Sequence, residues 1–183
     1  MPKSTNQKEQ IVVTALKLFA TSGYGSTSIR HIARKANVSQ SLLYNFFVSK
    51  KDLLLEILIR GFADIRESLA GYNDKNLTPQ KAIELHVTKT FKIIRDHQEL
   101  WRLLHTIRLQ DKVMNASKDM FSDMIGDIVA TFTVVFKELG HKKPELEAIL
   151  FLTQVDGLAI LYLQDPSIPI NKLAKQLIDR YTK

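Results

Sequence analysis

The sequence predicts an all-α protein of about nine helices. Three observations carry that reading. Apolar residues recur at helical spacing along nearly the whole 183-residue chain. No stretch shows the period-two alternation between hairpin turns that marks a sheet. The seven glycines and five prolines stand mostly where the periodic runs stop.

The first helix is expected over residues 6–22, where Ile11, Ala15 and Phe19 share a face with Val12 and Leu16 beside it. Gly23 and Gly25 end it. A second helix spans Thr27–Lys35, capped by Thr27 or Ser28, with Ile29, Ile32, Ala33 and Ala36 inward. Asn37 marks a turn because Asn tolerates positive φ. Ser39 caps a short third helix ending near Phe46. Ser49 followed by Asp52 resembles a capping box and starts a fourth, which runs to about Leu69 with Leu53, Leu54, Ile57, Leu58, Phe62 and Ile65 inward. Gly71 closes it and Tyr72–Leu77 is a linker. Thr78-Pro79 opens the fifth helix, with Pro where its missing N–H costs nothing. Four more are expected near 97–109, 112–139, 144–164 and 170–182, punctuated by Gly140, Pro144, Pro166 and Pro169.

Composition narrows the function. Apolar residues make up 45% and charged residues 25%, as in ordinary globular proteins. The absence of cysteine excludes disulfides, thiolate metal sites and a cysteine nucleophile, and suits a reducing cytoplasm. The opening MPKSTNQKEQ has no apolar run, and the apolar stretch Leu146–Leu163 is broken by Glu147, Thr153, Gln154 and Asp156. A cytoplasmic location and no membrane partner are therefore expected.

Charge is unevenly placed. Residues 1–51 hold eight Lys/Arg and one acid, and residues 52–183 are neutral overall. The whole net charge of +7 thus lies in the first quarter of the chain. A basic head on a neutral body suits a polyanion, although a solvated charged end gives the same count.

The decisive stretch is Thr27 to Phe47. Two short helices around a tight turn at Asn37 make a helix-turn-helix, with Ala33, Val38 and Leu43 small or aliphatic where the helices meet. The second helix would project its polar N-terminal residues into a major groove. The stretch resembles the TetR family signature through Thr27/Ser28, Ile32-Ala33, Val38-Ser39, Leu43-Tyr44, Phe47 and Ser49-Lys50, preceded by Leu18-Phe19 and Gly23-Tyr24. The likeness is specific over about residues 8–58, and Asn37 stands where the family usually has Gly.

Residue chemistry suggests roles for the head. Gln40 offers a donor and an acceptor to adenine's major-groove edge, and Leu42 an apolar contact to a thymine methyl. Ser39, Ser41 and Asn45 can bond phosphate or base edges, while Ser39 and Ser49 can equally be plain caps. Thr27, Ser28 and Arg30 lie where a helix N-terminus attracts phosphate. The resemblance implies that Tyr44 reaches a backbone phosphate and that Lys50 is a phosphate-binding lysine, so that Lys50→Ala would reduce the salt slope by about one unit.

The resemblance also implies a division into a DNA-binding domain, residues 1–48, and a ligand-binding and dimerisation domain, residues 49–183. Residues 146–163 carry thirteen apolar positions of eighteen, all round the helix, and so need cover on most sides. A second copy could supply it, with Leu150, Thr153, Gly157, Leu161, Leu173 and Leu177 at the interface. A pocket for a small-molecule effector would draw on Phe62, His86, Trp101, His105, Arg108, Phe121, Met124 and Gln154. Each of these is also an ordinary core or surface residue at helical spacing.

Catalytic and metal sites are not expected. His97 and His105 lie eight residues apart on one helix, about 12 Å along its axis, and cannot share a metal. Gly23-Tyr-Gly lacks the strand and third glycine of a dinucleotide site, no P-loop or nucleophile elbow occurs, and no cofactor is implied. The expected function is a dimeric repressor on a palindromic double-stranded DNA operator, released by an effector. Competing with it are a helical small-molecule carrier without specific DNA binding and, more distantly, a helical enzyme.

Overall fold

A computed structural model describes residues 3–69, 77–108 and 118–182, with side chains described for all but 3–5, 64–69, 108 and 118–121. The described residues form nine helices: α1 (Lys3–Ser22), α2 (Ile29–Lys35), α3 (Gln40–Phe46), α4 (Lys50–Leu69), α5 (Pro79–Asp96), α6 (Gln98–Arg108), α7 (Lys118–Glu138), α8 (Pro144–Gln164) and α9 (Ile170–Thr182). Expected helix ends agree within a few residues where they can be compared. The expected stop at Gly71, most of the linker and residues 112–117 lie outside the described residues, as does the side chain of Ile65.

Packing divides the chain into two compact units, residues 1–64 with 98–117, and residues 65–97 with 118–183. The functional cut expected after residue 48 falls inside the first. In that unit Ile11, Ala15 and Phe19 of α1 are fully buried with Ile32, Leu43, Leu53 and Leu58. Helix α6 packs along α1 and buries Leu100, Leu103, Leu104 and Ile107. Gly61 lets α4 and α6 approach closely: a Cβ there would lie 2.6 Å from both terminal carbons of Leu100. Ion pairs fasten α1 to α4, Lys8 to Glu56 at 2.9 Å and Arg60 to Glu9, while Arg60 also pairs with Glu56 within α4 at 2.7 Å. Glu56 is held below the usual carboxylate range chiefly by the hydrogen bond from Lys8.

The second unit is built on a hairpin of α7 and α8, closed at Gly140 (φ +83°), whose N–H and that of His141 reach back to Lys137 and Phe136. This double bond satisfies carbonyls that a helix end leaves open. Helix α9 covers α5. Aromatic rings make the core, with Phe151 at its centre, 5.0 Å from Phe132, 5.7 Å from Phe136 and 5.2 Å from Tyr181 between ring centroids.

Candidate nucleic-acid interface

The helix-turn-helix owes its shape to hydroxyl caps and one left-handed residue. Ser28 accepts the His31 N–H at 3.2 Å and so starts α2. Ser39 accepts the Leu42 N–H at 3.1 Å and starts α3. Between them Asn37 takes φ 53°, the only positive value outside glycine among the described residues. Its N–H donates to Arg34 O and that of Val38 to Ala33 O, which closes α2 and turns the chain sharply into α3. Ala33 and Leu43 are buried at the contact of the two helices.

The result is a polar face on α3. Gln40, Ser41, Tyr44 and Asn45 are exposed, and their spacing puts them on one side of the helix. Tyr44 is 51% exposed, whereas Leu43 behind it is fully buried. Ser28, Arg30 and Ser39 are exposed at the helix starts, and Leu42 is half-buried.

Two residues of the expected set have other employment. Thr27 is 1% exposed, and its hydroxyl donates to Gly23 O at 2.8 Å, tying the turn to the end of α1. Its side chain cannot face a phosphate. Lys50 directs its ammonium into the α1–α2 turn, donating to Tyr24 O at 2.8 Å, Thr27 O at 2.9 Å and Gly25 O at 3.4 Å. It also lies 4.3 Å from the centre of the Tyr24 ring. Residue type and position alone gave no sign of this cage, because its walls are backbone carbonyls.

The body candidates scatter. Phe62, Trp101 and His105 belong to the first unit; His86, Met124 and Gln154 belong to the second. Arg108 and Phe121 have side chains outside the described residues. Phe62 is buried, and Trp101 stacks near His105 with ring centroids 6.1 Å apart. His86 is buried against Phe132 at 4.7 Å, and burial holds its imidazole down to about 3. Met124 is half-buried. Gln154 joins a different neighbourhood, donating to the Tyr181 hydroxyl at 2.6 Å and accepting from Arg180. It therefore lines the open groove between α8 and α9 together with Gly157, Leu161 and Leu173.

Helix α8 turns Ala148, Phe151, Val155, Ala159 and Leu163 into the core. Its other side carries Leu150 at 56% and Leu161 at 48% exposure, with Thr153 exposed on the same stripe. Leu146 and Ile149 lengthen that stripe and were not singled out from sequence. Gly157 has nothing within 4 Å of a built Cβ. Leu173 is half-buried, and Leu177 at 6% is an internal contact more than a surface one. Among the described residues α8 is also the one helix long and apolar enough to cross a membrane. Here its inward residues pack on α7.

Fold and exposed face define the class: a helix-turn-helix head on a helical body. Residues 11–57 match the sequence model of the bacterial regulatory proteins of the tetR family. The match covers the head of the chain and ends inside α4. It is 33% identical over 94 residues to the HTH-type transcriptional regulator YuxN of Bacillus subtilis, a match that covers 51% of this chain and 32% of the relative. The chain thus spans about a third of the length of the first curated relatives it matches. A longer match, 22% identical over 86% of this chain and 80% of the relative, joins it to the biofilm operon negative regulator IcaR of Staphylococcus aureus. In fold it is similar to a TetR-like transcriptional regulator from Rhodococcus sp. RHA1, with TM-score 0.84 at 20% identity, covering 99% of this chain and 96% of that one.

Proposed function

We propose that the chain is a transcriptional repressor that binds a palindromic operator as a homodimer in the cytoplasm and is released by a small-molecule effector. One observation carries the reading. Gln40, Ser41, Tyr44 and Asn45 form an exposed polar face on a capped helix, and residues 1–51 hold the molecule's entire net charge. Such a face matches the depth and hydrogen-bonding edges of a major groove, and the surrounding charge suits the phosphates beside it. Residues 1–48 are the reader and 49–183 the body. In this assignment Gln40, Ser41 and Asn45 meet base edges, Leu42 a methyl, and Ser28, Arg30, Ser39 and Tyr44 the backbone.

The exposed α8 stripe supports the dimer, and the negative regulation in the name of the Staphylococcus aureus relative supports repression. The effector site is assigned to the body, residues 49–183.

Selection of bound sequences from a random duplex pool tests the reading. A palindromic winner held about a thousandfold more tightly than scrambled DNA at physiological salt is the expected result. No enrichment, with or without candidate effectors, would overturn it in favour of a small-molecule carrier. Within the winning complex, Gln40→Ala is expected to cost about 1–3 kcal/mol on the selected duplex and little on scrambled DNA. Equal losses on both would remove its role as a base reader.

A further inference from the structure

Lys50 occupies the first position of α4 and Lys51 follows it. Positive charge at that end opposes the helix dipole, and burial pulls the Lys50 ammonium below its usual range. A solvated lysine would avoid both costs. What offsets them is the cage already described. An ammonium has three N–H donors, and three carbonyls of the α1–α2 turn lie around it at 2.8, 2.9 and 3.4 Å. The Tyr24 ring adds a cation–π contact at 4.3 Å.

The cage is placed where it matters for α2. Thr27, whose carbonyl it holds, immediately precedes the Ser28 cap. The same ammonium is covalently part of the first turn of α4. A single group therefore fixes the start of α2 to the start of α4, with the turn's Gly23 (φ +84°) and the Thr27 hydroxyl bracing the other side.

We propose that Lys50 is a positioning residue, which clamps the α1–α2 turn to α4 and so sets the helix-turn-helix in its DNA-competent geometry without touching phosphate. The clamp itself stands on the geometry alone, while its effect on affinity rests on the DNA-binding reading above. With its three donors engaged on carbonyls, the ammonium releases no counterion when the head docks.

Two full-length variants test this, Lys50→Met and Lys50→Arg, with circular dichroism used to establish that each is folded. Arginine keeps the positive charge, but its planar fork does not suit three carbonyls converging on a point. Amide exchange in the free protein reads the clamp, with the Thr27 N–H, which donates to Tyr24 O at 3.3 Å, as reporter. Dissociation constants on the selected duplex across a salt series read the phosphate contact. The expected result is faster Thr27 exchange in both variants, binding weaker by about tenfold, and a salt slope equal to that of the parent. Unchanged exchange overturns the clamp. A slope reduced by about 0.9 in Lys50→Met overturns the exclusion of phosphate contact. If the parent binds no duplex, the DNA-binding reading falls while the exchange result still decides the clamp. If Lys50→Met does not fold, Lys50→Arg carries both measurements: loosened exchange with weaker binding supports the proposal, and parental behaviour overturns it.

Discussion

Asn37 adopts the left-handed conformation that most residues avoid at a cost of about 1–2 kcal/mol. Its place in the turn was legible because Asn is one of the few side chains that tolerate it. The caps were legible for a similar reason: Ser28, Ser39, Ser49 and Thr78 each accept the N–H three residues on, as a hydroxyl before an apolar run should. Thr27 and Lys50 were not. Their partners in the structure are carbonyls of a turn whose path follows from tertiary packing, which residue type does not reveal. His86 shows what burial does to a single ring. The folded protein keeps it neutral down to about pH 3, whereas in the unfolded chain it takes up a proton near 6.5. Between those values the unfolded state binds more protons, so stability should fall as pH drops below about 6.5 and stay level above it. The steepest contribution is about 1.4 kcal/mol per pH unit. Urea unfolding between pH 5 and 6.5, about the histidine range, checks this in the parent and in His86→Gln. A slope that survives the substitution would assign the effect to other groups.

At the scale of elements, spacing alone located the helices well and their faces unevenly. Helix α1 announced its inner side, since Ile11, Ala15 and Phe19 recur at helical spacing and are fully buried. Helix α8 did not, because apolar residues surround it and the outward side is settled only by which residues α7 covers. The seam of α4 and α6 was likewise hidden, since a glycine inside a helix gives no hint of what it faces. Gly61→Ala should destabilise the protein by about 1–3 kcal/mol through overpacking against Leu100. Leu100→Ala should be costly alone, yet the pair together should cost less than the sum, because the second change makes room for the first. Denaturant midpoints for the four proteins of the cycle decide it, and strict additivity would mean that α6 shifts freely on α4.

For the whole molecule, charge and apolar surface are sorted to different ends of the chain. The net charge lies in residues 1–51, and the exposed leucines of α8 lie in the neutral remainder. The charge sorting was legible by counting, and it led to the polyanion expectation before any fold was known. That a second copy covers α8 is an inference from its apolar stripe, since a single chain cannot show its own partner. Leu150→Asp combined with Leu161→Asp places carboxylates on the stripe without entering the core. The double variant should sediment as a monomer and lose operator affinity by at least about tenfold. Dimers that persist at the same concentration would move the seam elsewhere.

The bare stripe on α8 has one more consequence. If its cover comes from a second copy, heat resistance becomes a property of dose: each dilution removes some of the cover, and the melting temperature drifts downward with it. A cell holding few copies would then keep a softer, shorter-lived protein than one holding many, so the number of molecules would set their individual lifetime as well as the occupancy of their target.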